Sequence, residues 1–157
     1  MTMVTLALAL LVLLFLGGPA RAAGDRPPAE VRPRVEHHVR QASALADHFD
    51  SVMHAGCPRF GSPQKWNAYV DSEVDRVILL MAHVEQAWEE AKTTGDDDVR
   101  RAGKAPRGRL AEARGLMEKL SACAEANGSS LPVASIWQRI QSEVPRRQAE
   151  IALPSRP

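Results

Sequence analysis

The sequence predicts an all-α fold, an antiparallel up-down-up-down four-helix bundle locked by one disulfide. Three observations carry that prediction. Apolar residues recur at spacings of three and four along four separate stretches, and no stretch alternates as a strand would. Short connections favour antiparallel neighbours. The two cysteines, Cys57 and Cys123, fall where helices of alternating direction would bring them to the same pole.

The chain opens with an expected secretory signal, residues 1–22. Val4 to Leu16 is apolar apart from Thr5, Gly17-Gly18-Pro19 breaks the pattern, and Ala20-Arg21-Ala22 has the form of a cleavage site. Its 13 residues fall short of the roughly 20 a spanning helix needs, so cleavage after Ala22 and no stable membrane insertion thereafter are expected. Residues 23–33, with Pro27, Pro28 and Pro33, read as a flexible leader. The bundle domain is then expected over 34–153, with a frayed tail at 154–157.

The first helix starts near Pro33, with Val35, His38, Ala42, Leu45, Phe49 and Val52 on one face, and Gly56 is its natural stop. The stretch from Ser62 to Thr94 organises the rest. Ser62 fits a cap, Pro63 a first helical position and Gly95 a stop. Val70, Val74, Val77, Met81, Val84, Trp88 and Ala91 form its inner row, with Trp66, Leu80 and Ala87 widening it. Between Val77 and Val84 the polar side almost disappears, so partners are needed on more than one side.

The third helix has two expected starts, Asp97 or Pro106, and a short piece followed by a main helix is the favoured form. Leu110, Ala113, Leu116, Met117, Leu120, Cys123 and Ala124 point inward, and Asn127-Gly128 ends it. The last helix starts near Pro132 and buries Val133, Trp137, Ile140, Val144 and Ile151, with Pro145 kinking or ending it.

Charge and cysteines bound the function. Loss of residues 1–22 removes only Arg21 among the charged side chains, taking 20 basic against 19 acidic to 19 against 19. A neutral chain offers no field for a polyanion, and no nucleic-acid partner is expected. A signal and one cysteine pair fit an oxidising compartment, periplasmic or secreted.

Two clusters are candidates for chemistry. Antiparallel pairing about a turn near residue 60 sets position 37 level with position 83, so His38 and His83 could hold haem or a transition metal, with Met53 as a further ligand. The plainer reading makes the histidines structural and the methionines core filler. Arg100, Arg101, Lys104, Arg107 and Arg109 could bind an anion, although three aspartates just before them cancel much of the field. No catalytic residue is expected. The resulting expectation is an exported, non-catalytic binding or structural accessory with no cofactor and an unidentified protein partner, compatible with a homodimer. A haem- or metal-binding bundle is the rival.

Overall fold

The structure, a computed structural model, describes residues 26–153; the expected signal and tail lie outside them. Helix α1 spans Pro28–His54. The leader is therefore shorter than expected, because residues 28–33 are helical. Pro28 occupies a first-turn position where its missing N–H costs nothing, and Pro33 removes a single donor near the start. Against that loss stands Val31, fully buried in a small lower core with Val35, Ala91 and Val99. Burial of such a side chain contributes about 1.5 to 3 kcal/mol.

Helix α2 spans Pro63–Ala91, and the Ser62 hydroxyl accepts from the Lys65 N–H at 3.3 Å, as the cap pattern predicts. It stops three residues before the expected Thr94. There the Thr93 hydroxyl donates to the Glu90 carbonyl at 2.7 Å and satisfies an end group the helix leaves open. Helix α3 spans Asp97–Lys104, capped by Asp96 accepting from Val99 N–H at 2.9 Å. A 3-10 turn, Ala105–Arg109, leads into α4, Leu110–Ala124, so the two-piece form of the third helix is correct. A further 3-10 turn and Gly128, at φ 65°, end α4. Helix α5 spans Val133–Ile151 and continues through Pro145. Gln141, whose carbonyl loses its partner there, is exposed to water, and so is Pro145.

The molecule is all-α, with α3 and α4 together forming the third of four rods. Their relative directions follow from the contacts. Between α1 and α2, Arg34 meets Glu90, His38 meets His83 and His48 meets Glu73; one number rises as the other falls, so the pair is antiparallel. Between α1 and α4, Asp47 pairs with Arg109, Met53 fills the notch at Gly115 and Lys119 donates to the Ala55 carbonyl. Those numbers rise together, so this pair is parallel. Arg139 with Asp71 and Asp75, and Gln148 with Gln86, make α2 and α5 parallel as well.

Direction thus alternates along the chain, but side-by-side neighbours do not follow chain order. The rods lie in the order α4, α1, α2, α5, and α4 and α5 scarcely approach one another. The crossing is made by α3, which packs on both α1 and α2. Gly103 permits it, since a Cβ there would overlap Ala91 Cβ and stand 2.8 Å from the Ala87 carbonyl oxygen.

The main core gathers Phe49, Trp66, Ile78, Leu80, Leu116, Met117, Leu120 and Ile140, each at most 1 % exposed. At the upper pole Cys57 and Cys123 are bonded, with their Cα atoms 5.4 Å apart. Beside them Asn127 donates to the Pro58 and Cys123 carbonyls at 2.9 and 3.0 Å and accepts from Phe60 N–H at 3.0 Å. Among the described residues no helix is long and apolar enough to cross a membrane.

The disulfide closes a sequence separation of 66 residues, which the chain-entropy relation values at about 4 kcal/mol. Replacing both cysteines by serine is expected to lower the unfolding free energy by an amount of that order. Urea denaturation of oxidised, reduced and Cys57→Ser/Cys123→Ser protein measures it.

Candidate functional site

Two features stand out from the scaffold: a buried polar cluster in the lower half and an open apolar seam on one side. The cluster begins with His38, which sits in the apolar row of α1 and is fully buried, facing His83 of α2 at 5 % exposure. Their Nδ1 atoms are 2.9 Å apart, a hydrogen bond in which one nitrogen must donate and the other accept. His38 Nε2 is buried with no hydrogen-bond partner among the described residues. A bare lone pair is less costly there than an unpaired N–H, so the economical assignment has His38 Nδ1–H donating and His83 Nδ1 accepting. The half-buried His37 completes a group of imidazoles, with its ring centroid 5.0 Å from His38 and 6.2 Å from His83.

Burial disfavours the charged form of both rings. Desolvation first, then the neighbouring histidines, hold His38 and His83 down at about 4, so both are neutral at pH 7. Two turns below, Glu90 is buried yet ionised. Burial pushes its carboxyl up, but Arg34 at 2.6 and 2.8 Å, Gln86 at 3.3 Å and Arg26 at 3.2 Å outweigh that and leave it below the usual carboxylate range. Arg34 also donates to the Leu153 carbonyl, tying the end of α5 to α1.

A second buried carboxylate, Glu73, accepts from His48 at 2.9 Å and Arg76 at 2.8 Å at 1 % exposure. Glu73 lies between Asp71 and Asp75 in the sequence, where a carboxylate reads as water-facing, yet only the two aspartates are exposed. Glu90 and Arg34 were also missed. The arginine one turn before His38 is the signal that could have drawn attention to them.

The other candidates separate. Met53 stands 15 residues from His38 on α1, about 22 Å along the axis, so it is no ligand to that pair. Its sulfur instead fills the space above Gly115. The five cations do not converge on one point. Arg100 is exposed, Arg101 pairs with Asp98 at 3.1 Å, and Arg109 reaches Asp47 at 2.7 Å and Glu112 at 2.9 Å. Lys104 and Arg107 cover the Trp88 ring at 4.8 and 5.4 Å from its centroid, a cation–π contact that explains why Trp88 is only half-buried. Among the described residues no group of three or more His, Cys, Asp or Glu stands ready to hold a metal ion.

The seam lies between α4 and α5. Its upper cleft, about 480 Å³, is lined by Met117, Val133 and Trp137 beneath Arg114 and Glu118. The lower one, about 320 Å³, is lined by Met81, Leu110, Ala113 and again Trp137. Trp137, expected in the core, is half-exposed because α4 does not close over it. Comparison with protein-family models, curated proteins and solved structures finds no match to this chain.

The histidine pair dictates a pH dependence. Both folded pKa values lie below the unfolded value of 6.5, so the unfolded chain binds more protons between pH 6.5 and 4 and stability falls as pH drops through that window. The loss between pH 7 and pH 5 is expected to be about 2 kcal/mol for each histidine. His38→Leu/His83→Leu protein should lose less over the same interval, a difference read from paired urea denaturation curves at the two pH values.

Proposed function

We propose that the chain is an exported, non-catalytic binding or structural accessory whose working surface is the seam between α4 and α5, where it receives a polypeptide segment. The observation that carries this reading is the half-exposed Trp137 at the floor of two adjoining apolar clefts. Tryptophan is enriched among the few residues that dominate protein interfaces, and a groove between two helices accepts an apolar helix face. The buried carboxylates Glu73 and Glu90 are each held by cations, which supports a scaffold role for them. The disulfide supports a periplasmic or secreted location, reached by cleavage after Ala22.

A photoreactive residue in place of Trp137, introduced in the native compartment, tests the seam. It is expected to give a polypeptide adduct that the same residue at Arg101 does not, and Ala122→Arg at the cleft edge should suppress that adduct. An adduct yield at 137 no higher than at 101 would overturn the proposal.

A second reading is favoured by the facing Nδ1 atoms: a transition metal held by His38 and His83, each ring then carrying its proton on Nε2, with His37 the nearest further imidazole. Neutral imidazoles bind metal without proton competition. At metal–nitrogen distances of about 2.0 to 2.1 Å, tetrahedral ligands stand roughly 3.3 Å apart, so the rings would part by a few tenths of an ångström. Direct hydrogen bonding between the rings leaves no gap for a porphyrin, which favours a bare ion over haem. Metal analysis and an optical spectrum of protein from its native compartment should then give one ion per chain, lost in His38→Leu/His83→Leu. Metal-free protein that also takes up neither zinc nor copper on titration would exclude it.

A further inference from the structure

The rim of the seam on α4 is a single row of residues four apart, Leu110, Arg114, Glu118 and Ala122, all of them lining the clefts. Arg114, Glu118 and Ala122 are exposed and Leu110 is half-buried. Most charged side chains here are engaged: Arg139 takes two aspartates, Arg109 an aspartate and a glutamate, and Arg146 two glutamates. Among the described residues Arg114 and Glu118 make no ion pair or side-chain hydrogen bond, even with each other, although they are spaced for an i, i+4 pair.

The row is complementary in charge to its own reverse. Laid antiparallel on its own copy about an axis at position 116, it sets Arg114 opposite Glu118 of the partner subunit and Leu110 opposite Ala122 of the partner subunit. Two-fold symmetry repeats both pairs. Rows of residues four apart are the ridges that interdigitate in the commonest helix packing of globular proteins, at about 50°. Beneath the ridge, the partly exposed Val133 and Trp137 provide the apolar floor that such a contact removes from water.

From this we infer that the seam is the face of an isologous homodimer, with α4 crossing α4 of a second copy and the Arg114–Glu118 pair formed twice across the axis. The inference rests on the reading of the seam as the working surface and commits it to one occupant. A foreign helix would need its own matching charges. The copy already carries both halves of the pair, in the order a two-fold axis requires.

Light scattering and sedimentation of the full chain, from micromolar to millimolar concentration, test it. The expected species is a dimer. Arg114→Glu and Glu118→Arg should each weaken dimerisation by about tenfold, or 1.4 kcal/mol, because each reversal sets two like-charge pairs across the axis. The combined reversal should restore wild-type association. Both side chains are exposed, so unchanged helicity in every variant separates loss of association from loss of fold.

A monomer at all concentrations overturns the inference, and so does a dimer indifferent to either reversal or unrescued by the pair. A monomer whose residue 137 cross-links to a different polypeptide overturns the second copy while leaving the seam reading intact. A monomer with no adduct at 137 overturns both.

Discussion

The middle of α2 has no wet side, and the architecture follows from that constraint. From Val77 to Val84 only Leu79 and Met81 retain partial exposure; Val77, Ile78, Leu80, Ala82, His83 and Val84 are buried. No single neighbour can cover a helix on all sides, so α1, α5 and α4 must each approach a different face, with α3 covering the lower end. The segment is therefore the product of tertiary packing more than of helix propensity. Burying its valine, isoleucine and leucine side chains contributes of the order of 1.5 to 3 kcal/mol each, an upper value because the unfolded chain already hides part of its apolar surface.

What could be read from the sequence was what depends on local spacing. The inner rows of α1, α2 and α4, the Ser62 cap, the break at Pro106 and the shared pole of Cys57 and Cys123 all follow from periodicity and alternating direction. The site was partly legible by the same arithmetic: the pairing that sets 37 level with 83 differs by one residue from the observed 38 and 83. Glu73 and Glu90 were not legible. Periodicity assigns a carboxylate to water unless its partner is known, and His48 and Arg34 arrive from another helix, 25 and 56 residues away. The lateral order of the rods was equally hidden, since an amphipathic helix looks the same whichever neighbour it faces. One determinant of it is a close approach, Gly103 against Ala87 and Ala91.

Those buried polar contacts answer a question the apolar rows leave open. A seam of valines and alanines repeating at three and four can slip by a turn and still bury similar surface. The α1–α2 interface instead carries Arg34–Glu90, His38–His83 and His48–Glu73 along one seam. A slip of one turn, about 5.4 Å, would part all three: Glu73 would lose His48 but keep Arg76 of its own helix, while Glu90 would be left buried without Arg34, at a cost of about 3 to 5 kcal/mol. The contacts therefore choose the register, whatever their net worth against a fully apolar interface.

The open seam is a consequence of the same choice. Once α1 and α2 are locked together, the outer rods are drawn to opposite sides of that pair. Asp47 with Arg109 and the Met53–Gly115 notch hold α4 against α1, while Asp71, Asp75 and Gln86 hold α5 against α2. The rods are joined at the disulfide pole through the short link after Gly128, and the two clefts lie between them. Closing the gap would require one of these anchors to be given up, so Trp137 and the clefts beside it stay open without any rearrangement of the core. A surface held open by its own scaffold meets an occupant with little ordering left to do, and in such interfaces preorganisation governs affinity more than area does.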